Sequence, residues 1–201
     1  MNHTVNNVTQ LYADAKALYD NGVKASADSI IEKLNSSIEN LKTNWKGKDA
    51  GVQINNIVMV NNALINIRNV LGQLAVDSSK IAVNYREIQN ANGAKLETLG
   101  AISCETKSNI TYDPDTEDRV YITEDARNGK NSLDAALGDM PEFINKIEGS
   151  YSAIMDNWTK GTGRDEAVNA FTEFKSKVGE YQNTLQEVSD SITQALANYG
   201  G

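Results

Sequence analysis

Hydrophobic residues recur every three or four positions along two long stretches of the chain, and each stretch predicts a long amphipathic helix. In the first, the spacing alternates between three and four without a slip, which predicts a helix over 49–91. In the second, a similar spacing predicts a helix from about 164 to 198. The first seam consists of Ile57, Val60, Leu64, Ile67, Leu71, Leu74, Ser78, Ile81, Tyr85 and Ile88. The second consists of Phe171, Phe174, Val178, Tyr181, Leu185, Val188, Ile192, Ala195 and Tyr199.

A weaker seam precedes each long one, so each half of the chain is predicted to be a helical hairpin. Aligning Trp45 on Trp158 superposes the two weaker seams, and one extra residue in the second turn brings Tyr85 onto Tyr199. Any two heptad helices would align in part, but the coincidence of Trp, turn glycine and closing Tyr favours a tandem repeat. The weaker seams are Ile31, Leu34, Ile38, Leu41 and Trp45, and Leu137, Met140, Ile144, Ile147, Tyr151, Ile154 and Trp158.

Each predicted hairpin turns just after a tryptophan. Gly47 follows Trp45 by two residues, and Gly161 follows Trp158 by three. Glycine supplies the positive φ that ends a helix, and Asp49 is a plausible N-cap for the next one. We expect the two indoles to close the end of a helical core over these turns.

The predicted organisation is a first hairpin over 1–93, a connector over 94–123 and a second hairpin over 124–201. The connector contains two β-prone runs, 110–112 and 120–122, separated by an acidic turn sequence, which predicts a small β-hairpin. A disordered acidic linker is the alternative. In the second hairpin, Thr123 and the acids after it favour a helix start, and Pro141 predicts a break or kink. The predicted fold class is an all-α four-helix bundle of two long helix-turn-helix hairpins.

The connector leaves two topologies open. Thirty extended residues reach about 100 Å, enough for the chain to cross back and set the hairpins head to tail. Trp45 would then lie near Tyr199, and Trp158 near Tyr85. A connector folded short would instead give an up-down-up-down bundle with both tryptophan turns at one end. We favour the crossover.

Composition narrows the function classes. The net charge of −8 argues against a nonspecific nucleic-acid binder, and no stretch of 18 apolar residues predicts stable membrane insertion. The polar N-terminus lacks the features of a Sec signal peptide. The region 124–201 holds 7 basic and 13 acidic residues, which suits a basic partner, although a solvated acidic surface is the simpler interpretation.

Nothing in the sequence indicates catalysis, a metal or a cofactor, and we expect a non-enzymatic protein. His3 is the only histidine, and Cys104 is the only cysteine and has no neighbouring ligand at metal-binding spacing. Gly161-Thr162-Gly163-Arg164 is too short for a phosphate-binding loop. The connector acids do not fit the EF-hand spacing and offer at most weak calcium binding; they are Asp113, Asp115, Glu117 and Asp118.

Trp45-Lys46-Gly47, set between two amphipathic helices, resembles the WXG-motif family of small substrates of bacterial type VII secretion. Residues 1–93 match the family's length and motif placement, and 124–201 resemble a degenerate second copy. The resemblance implies a type VII substrate or accessory protein that acts through protein contacts, with the two Trp-Gly turns as contact residues. The resemblance implies a secretion ATPase or a cognate effector protein as the partner, and it leaves open whether the chain forms a homodimer.

Family members tend to carry a Tyr-x-x-x-Asp/Glu export signal after the second helix. Tyr85 stands in the expected place, but Gln89 replaces the acid, and Tyr199 is followed by only Gly200 and Gly201. Both tyrosines also stand at heptad positions, so packing in the core is the alternative to an export role. The resemblance implies secretion without a Sec signal, or a cytoplasmic state before export. The alternative is a cytosolic chaperone or targeting adaptor for a secreted toxin.

Overall fold

The computed structural model describes residues 4–88, 96–101 and 121–199. These residues form an all-α bundle with small β elements, which confirms the predicted fold class. The continuous helices in these ranges number four, because residues 8–44 are helical without a break although three segments are distinguished within them. The first half contains strand β1 (Thr4–Val5), helix α1 (Val8–Ala17), a π-helix (Leu18–Ala27), helix α2 (Asp28–Asn44), strand β2 (Trp45–Lys46) and helix α3 (Lys48–Ile88). The second half contains strand β3 (Tyr121–Ile122), helix α4 (Ala126–Asn157), strand β4 (Trp158–Lys160) and helix α5 (Thr162–Tyr199).

The chain divides into two compact units, and each draws on both halves of the sequence. Unit 1 lies within Met1–Asp28, Asn66–Glu105 and Pro141–Lys175, and unit 2 within Ser29–Ile65, Thr106–Met140 and Ser176–Gly201. In its described residues, each unit contains four helical segments and one two-stranded sheet. Each predicted hairpin is a continuous stretch of the sequence, whereas each compact unit combines parts of both hairpins.

Unit 1 has a core that joins aliphatic and aromatic side chains. Phe143 meets Phe174 edge to face with ring centroids 6.2 Å apart, and Tyr151 stacks on Phe171 at 4.2 Å. Burial raises the pKa of the Tyr151 hydroxyl. The π-helix packs closely on α4 because Gly22 has no side chain: a Cβ there would lie 3.2 Å from Ile147 Cγ2. The aliphatic residues of this core include Leu11, Leu18, Leu71, Leu74, Ile147 and Ile154.

Unit 2 has a core of aliphatic residues with a few buried polar groups. Asn61 donates through Nδ2 to Asn35 Oδ1 at 2.8 Å, and Ser189 Oγ donates to the carboxylate of Asp134 at 2.5 Å. The apolar residues of this core include Ile31, Leu34, Ile38, Leu41, Ile54, Ile57, Leu64, Leu133, Met140, Leu185, Val188 and Ile192. These polar pairs limit which registers the helices can adopt, since a shifted register would leave buried polar groups without partners.

The first predicted seam is buried from Ile57 to Ile81, whereas Tyr85 is half-buried and Ile88 is exposed. On α4 the buried stripe is shifted by one position from part of the predicted seam. Ala136 and Phe143 are buried, whereas Leu137, Ile144 and Tyr151 are partly exposed. Adjacent apolar residues on a helix fit the three-four spacing almost equally well, so the spacing alone did not decide which of them faces the core.

Two local expectations are corrected. The expectation at Pro141 was a break or a kink; helix α4 continues through Pro141, so the break is wrong and the kink stays a prediction. The exposed proline ring lies between Met140 and Phe143, which are both buried, and their burial offsets the backbone hydrogen bond that proline removes. Helix α3 begins at Lys48, so Asp49 lies in its first turn instead of capping it. There its negative charge still favours the helix N-terminus.

Two glycines of α4 predict opposite effects of the same substitution. A Cβ at Gly129 would lie 2.7 Å from Asn40 Oδ1 and 2.9 Å from Leu41 Cγ, so Gly129→Ala is expected to destabilise unit 2 by about 1–3 kcal/mol. A Cβ at Gly138 would meet nothing within 4 Å, so Gly138→Ala is expected to stabilise the helix by about 0.5–1 kcal/mol. Urea unfolding measures both, and equal effects would contradict the close packing of α4 on α2.

Candidate functional site at the tryptophan turns

The first tryptophan turn is held by a short strand from the second half of the chain. Trp45 pairs with Ile122 and Lys46 with Tyr121 in an antiparallel arrangement. Just beyond the strand, the Thr123 N–H donates to the Asn44 carbonyl at 3.0 Å, and Thr123 Oγ1 donates to Asn44 Oδ1 at 3.0 Å. The turn is therefore fixed by backbone pairing as well as by the packing of its indole.

Gly47 lets the chain enter α3 directly after this short strand. Its φ of 116° lies in a region that residues with a Cβ rarely adopt. Its carbonyl accepts the first hydrogen bond of the helix, from the Gly51 N–H at 3.1 Å. The predicted positive φ is present, but it stands at the start of α3 and not at the end of α2, which ends three residues earlier at Asn44.

The second tryptophan turn is built in the same way with a strand from the N-terminal end of the first half. Val5 pairs with Trp158, and the Asn6 N–H donates to the Asn157 carbonyl at 3.0 Å. Gly161, with a φ of 154°, accepts from the Arg164 N–H at 3.1 Å. Each turn thus repeats one design: an asparagine that ends a helix, a buried tryptophan on a paired strand, and a glycine that starts the next helix.

The extra residue of the second turn is absorbed by a β-bulge. Thr4 pairs with Lys160 and Val5 with Trp158, so three residues of β4 oppose two of β1, and Thr159 is the additional one. A bulge places one extra residue opposite its partner strand without breaking the pairing on either side. The second turn is one residue longer than the first, yet both keep the same paired arrangement.

Sequence reasoning found the tryptophans and glycines but not the strands that hold them. The β-prone run ending at Ile122 does form a strand, and its partner is the Trp45 turn. The other strand of the predicted hairpin, 110–112, lies outside the described residues. The strand at Thr4–Val5 was missed because two residues carry almost no periodic signal. The only sequence feature beside this strand is Asn7, a residue type that favours the start of a helix. Its side chain accepts a hydrogen bond from the Gln10 N–H at 3.0 Å.

The two indoles are equally buried but differ in their hydrogen bonding. Trp45 is 2% exposed and Trp158 is 1% exposed. Trp158 Nε1 donates to the carbonyl of Lys160, a bond that the longer turn makes available. Arg164 Nε also donates to the Trp158 carbonyl at 2.8 Å. Trp45 Nε1 has no hydrogen-bond partner among the described residues, and an unpaired buried donor costs about 1–3 kcal/mol.

A groove of about 290 Å³ lies beside the first turn, within unit 2. Trp45, Asp49 and Gln53 line one side, and the last turns of α5 line the other with Ser191, Gln194, Ala195, Asn198 and Tyr199. Gln53 Oε1 is likewise buried with no partner among the described residues, as are Ser37 Oγ and Asn61 Oδ1 elsewhere in unit 2. Trp45 and Tyr199 line the same groove, as the head-to-tail topology predicts.

Two exposed tyrosines flank the first turn. Tyr199 is 58% exposed at the groove, and Tyr121 is 56% exposed opposite Lys46 on β3. Nearby, a hydrogen bond from the Arg127 guanidinium lowers the pKa of the Glu124 carboxyl, with one contact of 3.2 Å. Sequence reasoning did not single out Tyr121 or Gln53, because neither belongs to a motif.

The remaining candidate residues are Tyr85 and Gln89 of the predicted export signal, and His3, Cys104 and the connector acids. Tyr85 is half-buried near the end of α3. Gln89, His3, Cys104 and the connector acids lie outside the described residues. Among residues 4–88, 96–101 and 121–199, no group of histidine, cysteine and acidic side chains could hold a metal ion. No helix in the same ranges is long and apolar enough to cross a bilayer.

The first turn therefore presents two exposed aromatic rings, while its indole N–H and the Gln53 amide oxygen are buried with no partner among the described residues. The second turn uses its own carbonyl to satisfy the equivalent donor. No protein-family model matches this chain, and no solved structure matches it.

Proposed function

We propose that this protein is a non-enzymatic substrate or accessory protein of a bacterial type VII secretion system, and that it acts through protein contacts at the Trp45 turn. The observation that carries the contact surface is the pair of exposed tyrosines, Tyr121 and Tyr199, on either side of a buried tryptophan. Tyrosine and tryptophan are the residues most enriched where proteins bind one another strongly. The secretion assignment comes from the resemblance of Trp45-Lys46-Gly47 and its hairpin to the WXG-motif family.

In this proposal the bundle is a rigid support for the turn. The Trp45 backbone is held by β3, and α3 begins immediately after Gly47, so a partner meets a surface that is ordered before binding. Preorganisation lowers the entropy cost of association. The partner is a secretion ATPase or a cognate effector protein.

An export assay tests the proposal. We expect the full chain in the culture medium of a secretion-proficient strain and its absence from the medium of a mutant that lacks the secretion ATPase, with a cytosolic marker to exclude lysis. Equal retention of the chain inside the cells of both strains would contradict the proposal that it is a secreted substrate. Copurification of a toxin's helical domain with the retained chain would then favour the targeting adaptor.

A surface variant tests where the contact lies. Replacing both Tyr121 and Tyr199 by serine is expected to reduce export or partner capture at least about tenfold, because central aromatic contacts each contribute about 2 kcal/mol or more. Met59→Ser is the matched control, since Met59 is an exposed apolar residue of α3 that does not line the groove. Equal effects of the two variants would place the contact elsewhere.

A further inference from the structure

Residues 96–101 form a segment of unit 1 that lies outside the helices and strands, and we call this segment the strap. Two tyrosines hold its main chain. The Tyr12 hydroxyl donates to the Glu97 carbonyl at 2.8 Å, and the Tyr19 hydroxyl donates to the Gly100 carbonyl at 3.0 Å. The tyrosines are seven residues apart on one helical stretch, a rise of about 10 Å, and an extended chain covers about the same length in three residues. The two hydroxyls therefore match the spacing of the two carbonyls.

A third hydrogen bond joins the strap to helix α3. The Leu99 N–H donates to Ser79 Oγ at 3.1 Å, and the same serine hydroxyl donates to the Val76 carbonyl at 2.7 Å. Ser79 is fully buried, so the packing of α3 fixes its position. In all three contacts the strap uses main-chain atoms, whereas the helices supply the side chains.

The side chains of the strap bury little surface. Leu96 and Leu99 are half-buried, whereas the other four residues are exposed, namely Glu97, Thr98, Gly100 and Ala101. Release of the strap leaves no buried polar group without a partner, because Ser79 keeps its bond to the Val76 carbonyl and water can reach the two tyrosine hydroxyls. Segments with few buried apolar contacts and with hydrogen bonds near the surface open without unfolding of the whole protein.

We propose that the strap is releasable: residues 96–101 leave unit 1 and return as one piece while the helices stay folded. The hydroxyls of Tyr12, Tyr19 and Ser79 keep the strap closed, and its opening uncovers them as a row of polar groups. This inference goes beyond the proposed function, because it concerns a conformational device of unit 1 and involves neither the Trp45 turn nor a secretion partner.

Hydrogen exchange of the Leu99 amide in the full chain reports the opening directly, since this N–H bonds to Ser79 only while the strap is closed. We expect the amide to be protected and to exchange at a rate that low concentrations of urea hardly change, because opening exposes little surface. The amide of Leu71, a buried residue of α3, is the reference, and its exchange should accelerate steeply with urea. NMR of the ¹⁵N-labelled protein measures both rates.

Variants connect the opening to the two tyrosines. Tyr12→Phe and Tyr19→Phe each remove one hydroxyl and are expected to lower the protection of the Leu99 amide about fivefold, the typical effect of one hydrogen bond. Tyr151→Phe is the matched control, because the Tyr151 ring stacks in the core of the same unit and its hydroxyl makes no hydrogen bond to the strap. Protection of the Leu71 amide separates these effects from a loss of global stability.

Gly100→Ala is expected to act in the opposite direction. A Cβ there would lie 3.8 Å from the Tyr19 hydroxyl oxygen, an ordinary contact, and the φ of Gly100 lies outside the region that residues with a Cβ rarely adopt. Alanine restricts the released strap more than the closed one, so protection of the Leu99 amide should rise about two- to fivefold.

Three results would overturn the inference. The first is an equal urea dependence of the exchange of Leu99 and Leu71, because the strap would then open only when the protein unfolds. The second is an unprotected Leu99 amide, and the third is a loss of protection in Tyr12→Phe and Tyr19→Phe no larger than in Tyr151→Phe. The exchange experiment contains no secretion component, so its failure leaves the export result standing.

Discussion

Replacing Trp158 by alanine is expected to lower the free energy of unfolding by about 3–5 kcal/mol, the cost of removing a fully buried aromatic side chain. Trp45→Ala is expected to cost a similar amount, because both indoles are buried at the end of a helical core. Urea denaturation followed by circular dichroism measures both. A loss below about 1 kcal/mol for either would mean that its indole is not part of the core.

Replacing each tryptophan by phenylalanine tests whether the two indoles differ in their hydrogen bonding. Trp158→Phe removes the indole hydrogen bond and leaves the carbonyl of Lys160 without that donor, whereas Trp45→Phe removes a donor that has no partner among the described residues. We expect Trp158→Phe to cost about 1 kcal/mol more than Trp45→Phe, the typical net value of one hydrogen bond. Equal costs, or the reverse order, would contradict the assigned difference between the turns.

The second large effect is expected at an ion pair of unit 1 in which the arginine is buried and the aspartate is partly exposed. Arg68 is buried and donates to both carboxylate oxygens of Asp28, at 2.7 and 3.2 Å. Asp28→Asn is expected to destabilise the protein by about 3 kcal/mol, because it removes the carboxylate charge that the buried guanidinium contacts through two hydrogen bonds. Urea unfolding measures the loss, and a value below about 0.5 kcal/mol would show that solvent already screens the pair.

Arg68→Met is the matched control for that pair. Methionine has a similar length and no charge, and the remaining carboxylate can be hydrated because the Asp28 side chain is 35% exposed. We expect this variant to cost no more than about 1.5 kcal/mol, so the two partners should respond unequally. A larger loss for Arg68→Met than for Asp28→Asn would contradict the assignment of the buried partner.

The helices could be predicted because their periodic signal extends over many turns. The spacing of apolar residues placed α3 and α5 to within a few residues of their observed bounds, and aligning the two tryptophans found both turns. The break at Pro141 was wrong because local preference alone favours one there, whereas α4 continues through this residue. The burial of Met140 and Phe143 on either side outweighs the lost hydrogen bond.

The candidate site could be predicted only in part. The tryptophans and turn glycines are visible in the sequence, but β1 and β3 have two residues each, and their partners lie in the opposite half of the chain. The extra residue in the second turn was visible as a mismatch in the alignment. Its consequences, a bulge at Thr159 and an acceptor for the Trp158 indole, depend on backbone geometry that no pattern encodes.

The central claim is that each tryptophan turn is pinned by a strand from the other half of the chain, and paired cysteines test it most directly. In a Cys104→Ser background, Lys46→Cys with Tyr121→Cys forms one pair, and Thr4→Cys with Lys160→Cys forms the other. Residues opposite each other in antiparallel strands have Cα atoms about 4.5–5.5 Å apart, which suits a disulfide. The single-cysteine variants are the controls.

Mass spectrometry after mild oxidation of the dilute protein gives the outcome. We predict an intramolecular disulfide in nearly every molecule of both double variants, with the helical circular dichroism unchanged. Failure of either pair to close while the protein stays folded would contradict the pairing of that turn with its strand, and with it the claim that both turns are built to one design.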